Sequence, residues 1–119
     1  MREERSQIAG DLTVNEPLEL TGNVGGNLTI VKGGKVYVRG SVIGNMIVEP
    51  GGRVHLYGHI HGNVLLSEDT KVILGGHVKG DVINNGGRLF IETKAEIKGK
   101  VKTYSGETKY EVIPKTPEE

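Results

Sequence analysis

Residues Gly40 to Tyr57 read GSVIGNMIVEPGGRVHLY, and the eighteen residues on each side repeat the outline: GNVGGNLTIVKGGKVYVR before it and GHIHGNVLLSEDTKVILG after it. A unit of that length carries apolar residues along one side and cannot bury them alone, so it must stack on copies of itself. The repeat therefore predicts an all-β, single-domain parallel β-solenoid. Counted from the first glycine of each coil, positions 3, 9 and 15 are apolar: Val24, Ile30, Val36, then Val42, Val48, Val54, then Ile60, Leu66, Val72. A six-residue spacing inside an eighteen-residue turn describes a triangular prism of short strands, with alternate residues pointing inward. Leu28, Met46 and Val64 at position 7, and Val38, Leu56 and Leu74 at position 17, share the inward parity. Gly26, Gly44, Gly62, Gly80 and Gly99 recur at position 5, where a corner brings backbones close or needs positive φ.

With 19 Gly, one Phe, no Trp and 35% hydrophobic residues among 119, a layered globular core would be thin. A solenoid coil needs only a slim row of Val, Ile and Leu against its neighbours. Fifteen basic side chains cancel fifteen acidic ones, so overall charge gives no pull toward nucleic acid or an anionic membrane, and neither is expected as a partner. The absence of Cys excludes a disulfide framework and a thiolate metal site. The start, MREERSQ, is charged where a secretory signal is apolar, and no run reaches the roughly 20 apolar residues of a membrane span. A cytoplasmic protein is expected.

The pattern extends both ways. Ile8 to Val14 matches Val24 to Ile30 position for position, and a first coil closes through Leu18 and Leu20, two residues short. The coil from Gly76 to Lys94 loses one residue before Gly86-Gly87 and regains two after Ile91, and Ala95 to Val101 opens another. About six coils of ~18 residues result, with a solenoid domain over 6–113, a charged tail at 1–5 and a frayed tail, PKTPEE, at 114–119. Tyr104, Tyr110, Val112 and Ile113 break the register and are expected to lie over the open end of the stack.

Outward residues form columns, and function must reside there. Asn27, Asn45, Asn63 and Asp81 share position 6, with Asp11 before and Lys100 after, as in the side-chain ladders that stabilise parallel stacks. Position 14 is basic in Lys35, Arg53, Lys71 and Arg88. Like charges one strand apart repel, unless Glu49, Glu68, Asp69 or an outside anion offsets them. Beside them, position 16 carries Tyr37, His55, Ile73 and Phe90. This reads either as a solvated face or as a partner-binding strip of Tyr37, Arg53, His55, Lys71, Ile73, Arg88 and Phe90, in which aromatic anchors are rimmed by cations. A second exposed apolar set is Ile43, Ile47, Leu65 and Ile83.

Histidine gives the one hint of chemistry. His59 and His61 lie two apart, and His77 falls over His59 in the next coil. Three imidazoles and a water suffice for zinc, but no carboxylate stands behind these three and no substrate pocket is implied. No metal or other cofactor is therefore expected. No Ser-His-Asp order, buried carboxylate pair or phosphate-cradling Gly-Lys-Ser phrase is present, so no catalytic residues are assigned.

The alternation G-x-I-x-G-x-V around polar turns, sustained over nearly the whole chain, resembles the bactofilin or polymer-forming cytoskeletal superfamily of bacterial β-helices. The resemblance implies a right-handed helix, although left-handed hexapeptide acyltransferase helices share the six-residue period. The phrases GDVINNGGRLFI and GNLTI also look like the short stand-alone solenoids that serve as immunity proteins beside polymorphic toxins. An apolar N-terminal peptide and a C-terminal Gly-Ala-Val-Phe phrase, usual in bactofilins, are missing here. The first expectation is accordingly a non-catalytic immunity protein that binds a cognate toxin. The alternative is a bactofilin-like subunit that partners copies of itself end to end, and a zinc or acyltransferase enzyme ranks third.

Overall fold

The computed structural model describes residues 1–112. Among them every regular element is a β-strand, and every pairing between strands is parallel. The chain forms the expected solenoid of about six turns, and each turn supplies one strand to each of three faces. The long face stacks Arg2–Glu4, Pro17–Leu20, Lys35–Val38, Arg53–Leu56 and Lys71–Leu74. The middle face stacks Leu12–Val14, Leu28–Ile30, Met46–Val48 and Val64–Leu66. The short face stacks Gln7–Ile8, Asn23–Val24, Ser41–Val42, His59–Ile60, His77–Val78 and Glu96–Ile97. In the last two coils a ten-residue strand, Val82–Ile91 and then Val101–Tyr110, runs around the corner and joins the middle and long faces into one sheet.

The inward row is the one the spacing predicts. Val24, Val42, Val48, Val36, Val72 and Leu28 are fully buried, and Val54 keeps only 1% of its surface. Register is constant from coil to coil: Val36, Val54 and Val72 are Cα partners in succession, as are Leu28, Met46 and Val64. Each coil thus buries the row of its neighbours, which is how so few apolar residues make one continuous core.

Three features depart from the periodic expectation. Asn84 holds the inward place opposite Leu66, where the preceding coils carry an apolar residue, and is fully buried. Its carboxamide is saturated: the two Nδ2 protons are shared among Gly87 O (3.1 Å), Glu107 O (3.1 Å) and Thr108 Oγ1 (3.2 Å), while Oδ1 accepts from the amides of Gly86 (3.1 Å) and Gly87 (2.8 Å). A buried amide is tolerated only when paired in this way, and here it holds the bulged turn at Gly86 (φ +136°) and the following coil together. The second departure lies at the start. Residues 1–5 read as a charged tail, yet Arg2–Glu4 pairs with Pro17–Leu20, and ion pairs Arg2 to Glu16 (3.3 Å) and Arg5 to Glu3 (2.8 Å) place its charges at the rim.

The third departure is at the other end. Tyr104 and Tyr110 do not lie across the stack: they belong to the last rung, paired with Val82–Ile91, and are 68% and 58% exposed. The β-pairing of that rung outweighs the break in apolar pattern. Where the core would continue inward, this rung places Thr103 and Thr108, whose hydroxyls bond to one another at 2.6 Å. Val112 is 81% exposed, and Ile113 and the 114–119 tail lie outside the described residues.

Candidate interaction surfaces

The long face brings the sequence-predicted strip together on one flat sheet. Strand pairing puts Lys35, Arg53, Lys71 and Arg88 in one column, and Tyr37, His55, Ile73 and Phe90 in the next. The acidic residues on these two columns, Glu3, Glu19 and Glu107, are engaged with Arg5 Nη2 (2.8 Å), Arg39 Nε (2.7 Å) and Lys109 Nζ (3.5 Å) respectively, and Glu92 nearby with Lys94 Nζ (3.7 Å). The four cations of the first column, all exposed, make no ion pair among the described residues. Tyr37 and His55 stack face to face, with centroids 4.4 Å apart and planes within 9°. Lys35 Nζ sits 5.8 Å from the Tyr37 ring centroid. Burial, and then the positive charges of Lys35 and Lys71, hold the His55 imidazole below its ordinary pKa. Ile73 is half-buried and Phe90 is 37% exposed.

On the middle face Ile47, Leu65 and Ile83 form a half-buried outward column, while Ile43 lies apart from it, 53% exposed at the preceding corner. The position-6 residues beside that column do form a ladder, but not amide to amide. Each side-chain oxygen accepts the backbone N–H one coil later: Asp11 from Asn27 (2.7 Å), Asn27 from Asn45, Asn45 from Asn63, Asn63 from Asp81 and Asp81 from Lys100 (2.8 Å each). That ladder explains the glycine row. None of Gly26, Gly44, Gly62, Gly80 and Gly99 needs a positive φ; a Cβ at each would collide with the Asn or Asp oxygen of the coil before. The column is structural, and the sequence holds both halves of the signal in the recurring Gly-Asn pair.

The histidines divide. His59 and His77 are register partners whose rings stack at 4.6 Å, and His77 Nδ1 lies 3.8 Å from Glu96 Oε2 in the next rung. His61 sits past the strand end and does not join them; no group of three metal-binding side chains forms among the described residues. The geometry of a three-histidine zinc set is therefore not assembled.

Among the described residues both ends of the stack leave strand edges without a partner strand. At one end these are Arg2–Glu4, Gln7–Ile8 and Leu12–Val14; at the other, Glu96–Ile97 and Val101–Tyr110. Against this geometry, the family model for bactofilins, described as polymer-forming cytoskeletal, matches residues 3–102. The chain belongs to the bactofilin family. Comparison with curated proteins and with solved structures returned no match. The bactofilin match favours the self-assembling alternative over the toxin-neutralising one, which the comparisons leave without support. The immunity expectation rested on phrases such as GNLTI, and in this bactofilin those residues serve coil stacking: Leu28 and Ile30 are core, and Asn27 is a ladder rung. No helix among the described residues is long and apolar enough to cross a membrane.

Proposed function

We propose that this chain is a non-catalytic subunit of a cytoskeletal polymer, added end to end by the same coil-on-coil pairing that builds the monomer. The observation that carries the reading is that, among the described residues, the edges of both terminal rungs are unpaired and lie in the register of the stack. An unpaired parallel edge with an apolar row is a template for another strand. A second copy set on the C-terminal rung in the same sense keeps the strand register, with Arg2 over Thr108 and Glu4 over Tyr110 on the long face and apolar pairs on the other two. Ile8 then lies over Ile97 and Leu12 over Val101, all four of them half-buried in the monomer. Glu3 falls over Lys109, and Asp11 over Lys100, so opposite charges meet at the rim.

Negative-stain electron microscopy of the purified protein tests this. Filaments about 27 Å across, the width of the prism, are expected. The pair Ile8→Asp and Ile97→Asp is expected to leave a folded monomer, because each charge would be buried unpaired only in the junction. Wild-type protein that sediments as a monomer at every concentration, or a double variant that still forms filaments, would overturn the proposal.

A further inference from the structure

The long face carries a charge pattern that self-assembly does not use. Lys35, Arg53, Lys71 and Arg88 stand one above another on successive rungs, at about 4.8 Å per rung, with no ion pair among the described residues. The molecule as a whole is neutral, with 15 cations and 15 anions, so this column is a local segregation of charge and not an overflow of it. Asp69, at the adjoining corner, lines the same recess as Arg53, Lys71 and Arg88 but pairs with none of them. A rigid column of like charges is unfavourable in isolation, and an anion laid along it would relieve that cost without ordering the side chains' backbone. Next to it Ile73 and Phe90 line a shallow groove with Lys71, Arg88 and Lys109, and with Glu107, which ends the column on the rung after Arg88 and is paired with Lys109 at 3.5 Å.

We propose that the long face binds an acidic helical segment of a partner protein, with carboxylates along the column Lys35, Arg53, Lys71, Arg88 and apolar side chains against Ile73 and Phe90. Spacing selects a helix. Four rungs span about 14 Å, four same-side residues of an extended strand about 20 Å, and four residues one turn apart on a helix about 16 Å. The helix departs from the column by about 2 Å over its length and the extended strand by about 6 Å, so the helix asks less displacement of the Lys and Arg stems. The two columns are two residues apart on each strand, roughly 7 Å, and a helix about 10 Å in diameter covers both. Single-stranded nucleic acid fits less well, since it needs open aromatic faces and those of Tyr37 and His55 are turned on each other. The face lies along the side of the stack, so it stays open whether or not the ends are joined, and a filament would repeat it and gain avidity.

The probe is a synthetic helical peptide with Glu once per turn on one face and Leu on the adjoining face, followed by fluorescence anisotropy with the full chain. Wild-type protein is expected to bind it and to weaken as salt rises, while the same peptide with Gln for Glu does not bind. The pair Arg53→Glu and Lys71→Glu is expected to lose affinity about tenfold or more, and Phe90→Ala to lose part of it. The pair Lys98→Glu and Lys102→Glu changes net charge equally on other faces and is expected to bind as wild type. A readout without any substitution is the His55 imidazole in NMR titration: carboxylates laid beside Lys35 and Lys71 should raise its pKa. Equal loss in both charge-reversed pairs, binding of the Gln peptide, an unmoved His55, or preference for single-stranded DNA or phosphatidylserine vesicles over the peptide would each overturn the proposal. None of these outcomes depends on whether filaments form.

Discussion

Two kinds of position govern stability at the level of single residues. Val54 lies between Val36 and Val72 with 1% of its surface exposed. An aspartate there would bury a carboxylate between aliphatic rows with no donor to meet it. Val54→Asp is expected to cost more than about 4 kcal/mol, read as loss of the cooperative melt; a near-wild-type melt would mean that this row does not face the core. Glycine supplies a sharper internal comparison. At Gly62 a Cβ meets the Asn45 side-chain oxygen and the Gly44 carbonyl, whereas at Gly10, the same position in the first coil, with no ladder oxygen before it, nothing lies within 4 Å. Gly62→Ala should therefore destabilise by about 2 kcal/mol or more and Gly10→Ala by well under about 1 kcal/mol. Equal effects in thermal melts would show that backbone freedom, and not the ladder oxygen, sets the glycine.

At the scale of strands, the stacked column Tyr37, His55 links the long face to pH. His55 has its pKa lowered by burial and by Lys35 and Lys71. The unfolded chain, with a histidine pKa near 6.5, therefore binds the proton more readily than the folded one. The sign follows: this contribution is fully present above about pH 6.5 and is lost as pH falls through the folded value. The melting temperature of wild type should drop below that of His55→Phe as pH is lowered from 8 to 5, because Phe keeps a ring against Tyr37 and cannot charge; parallel curves would exclude the effect. Strand register was legible in the sequence here because inward residues obey packing: Val36, Val54 and Val72 have no alternative apolar face. Asn84 was not, since a polar residue at an inward position gives no sign of what satisfies it, and its partners come from the shortened turn at Gly86-Gly87 and from the next coil. Nor was Arg2–Glu4, whose charged residues hide a strand because pairing at a solvent-facing edge asks nothing of hydropathy.

At the scale of the molecule, what was hard to read is what packing leaves free. The columns of Lys35 and Tyr37 follow from the repeat, but their partner does not, because an outward side chain on a rigid coil is selected by whatever touches it. The ends posed the opposite difficulty. Tyr104 and Tyr110 look like material for a lid, yet they continue the last rung, whose edge has no partner strand among the described residues. The position-6 ladder adds a consequence of its own. In every rung the acceptor oxygen belongs to the coil nearer the N-terminus and the donor N–H to the next coil. The ribosome delivers coils in that same order, at a pace of about 5–20 residues per second. Each emerging coil thus meets a finished acceptor row already waiting for its amide, so the prism can grow as it is translated, with no need to hold a corner open for residues not yet made.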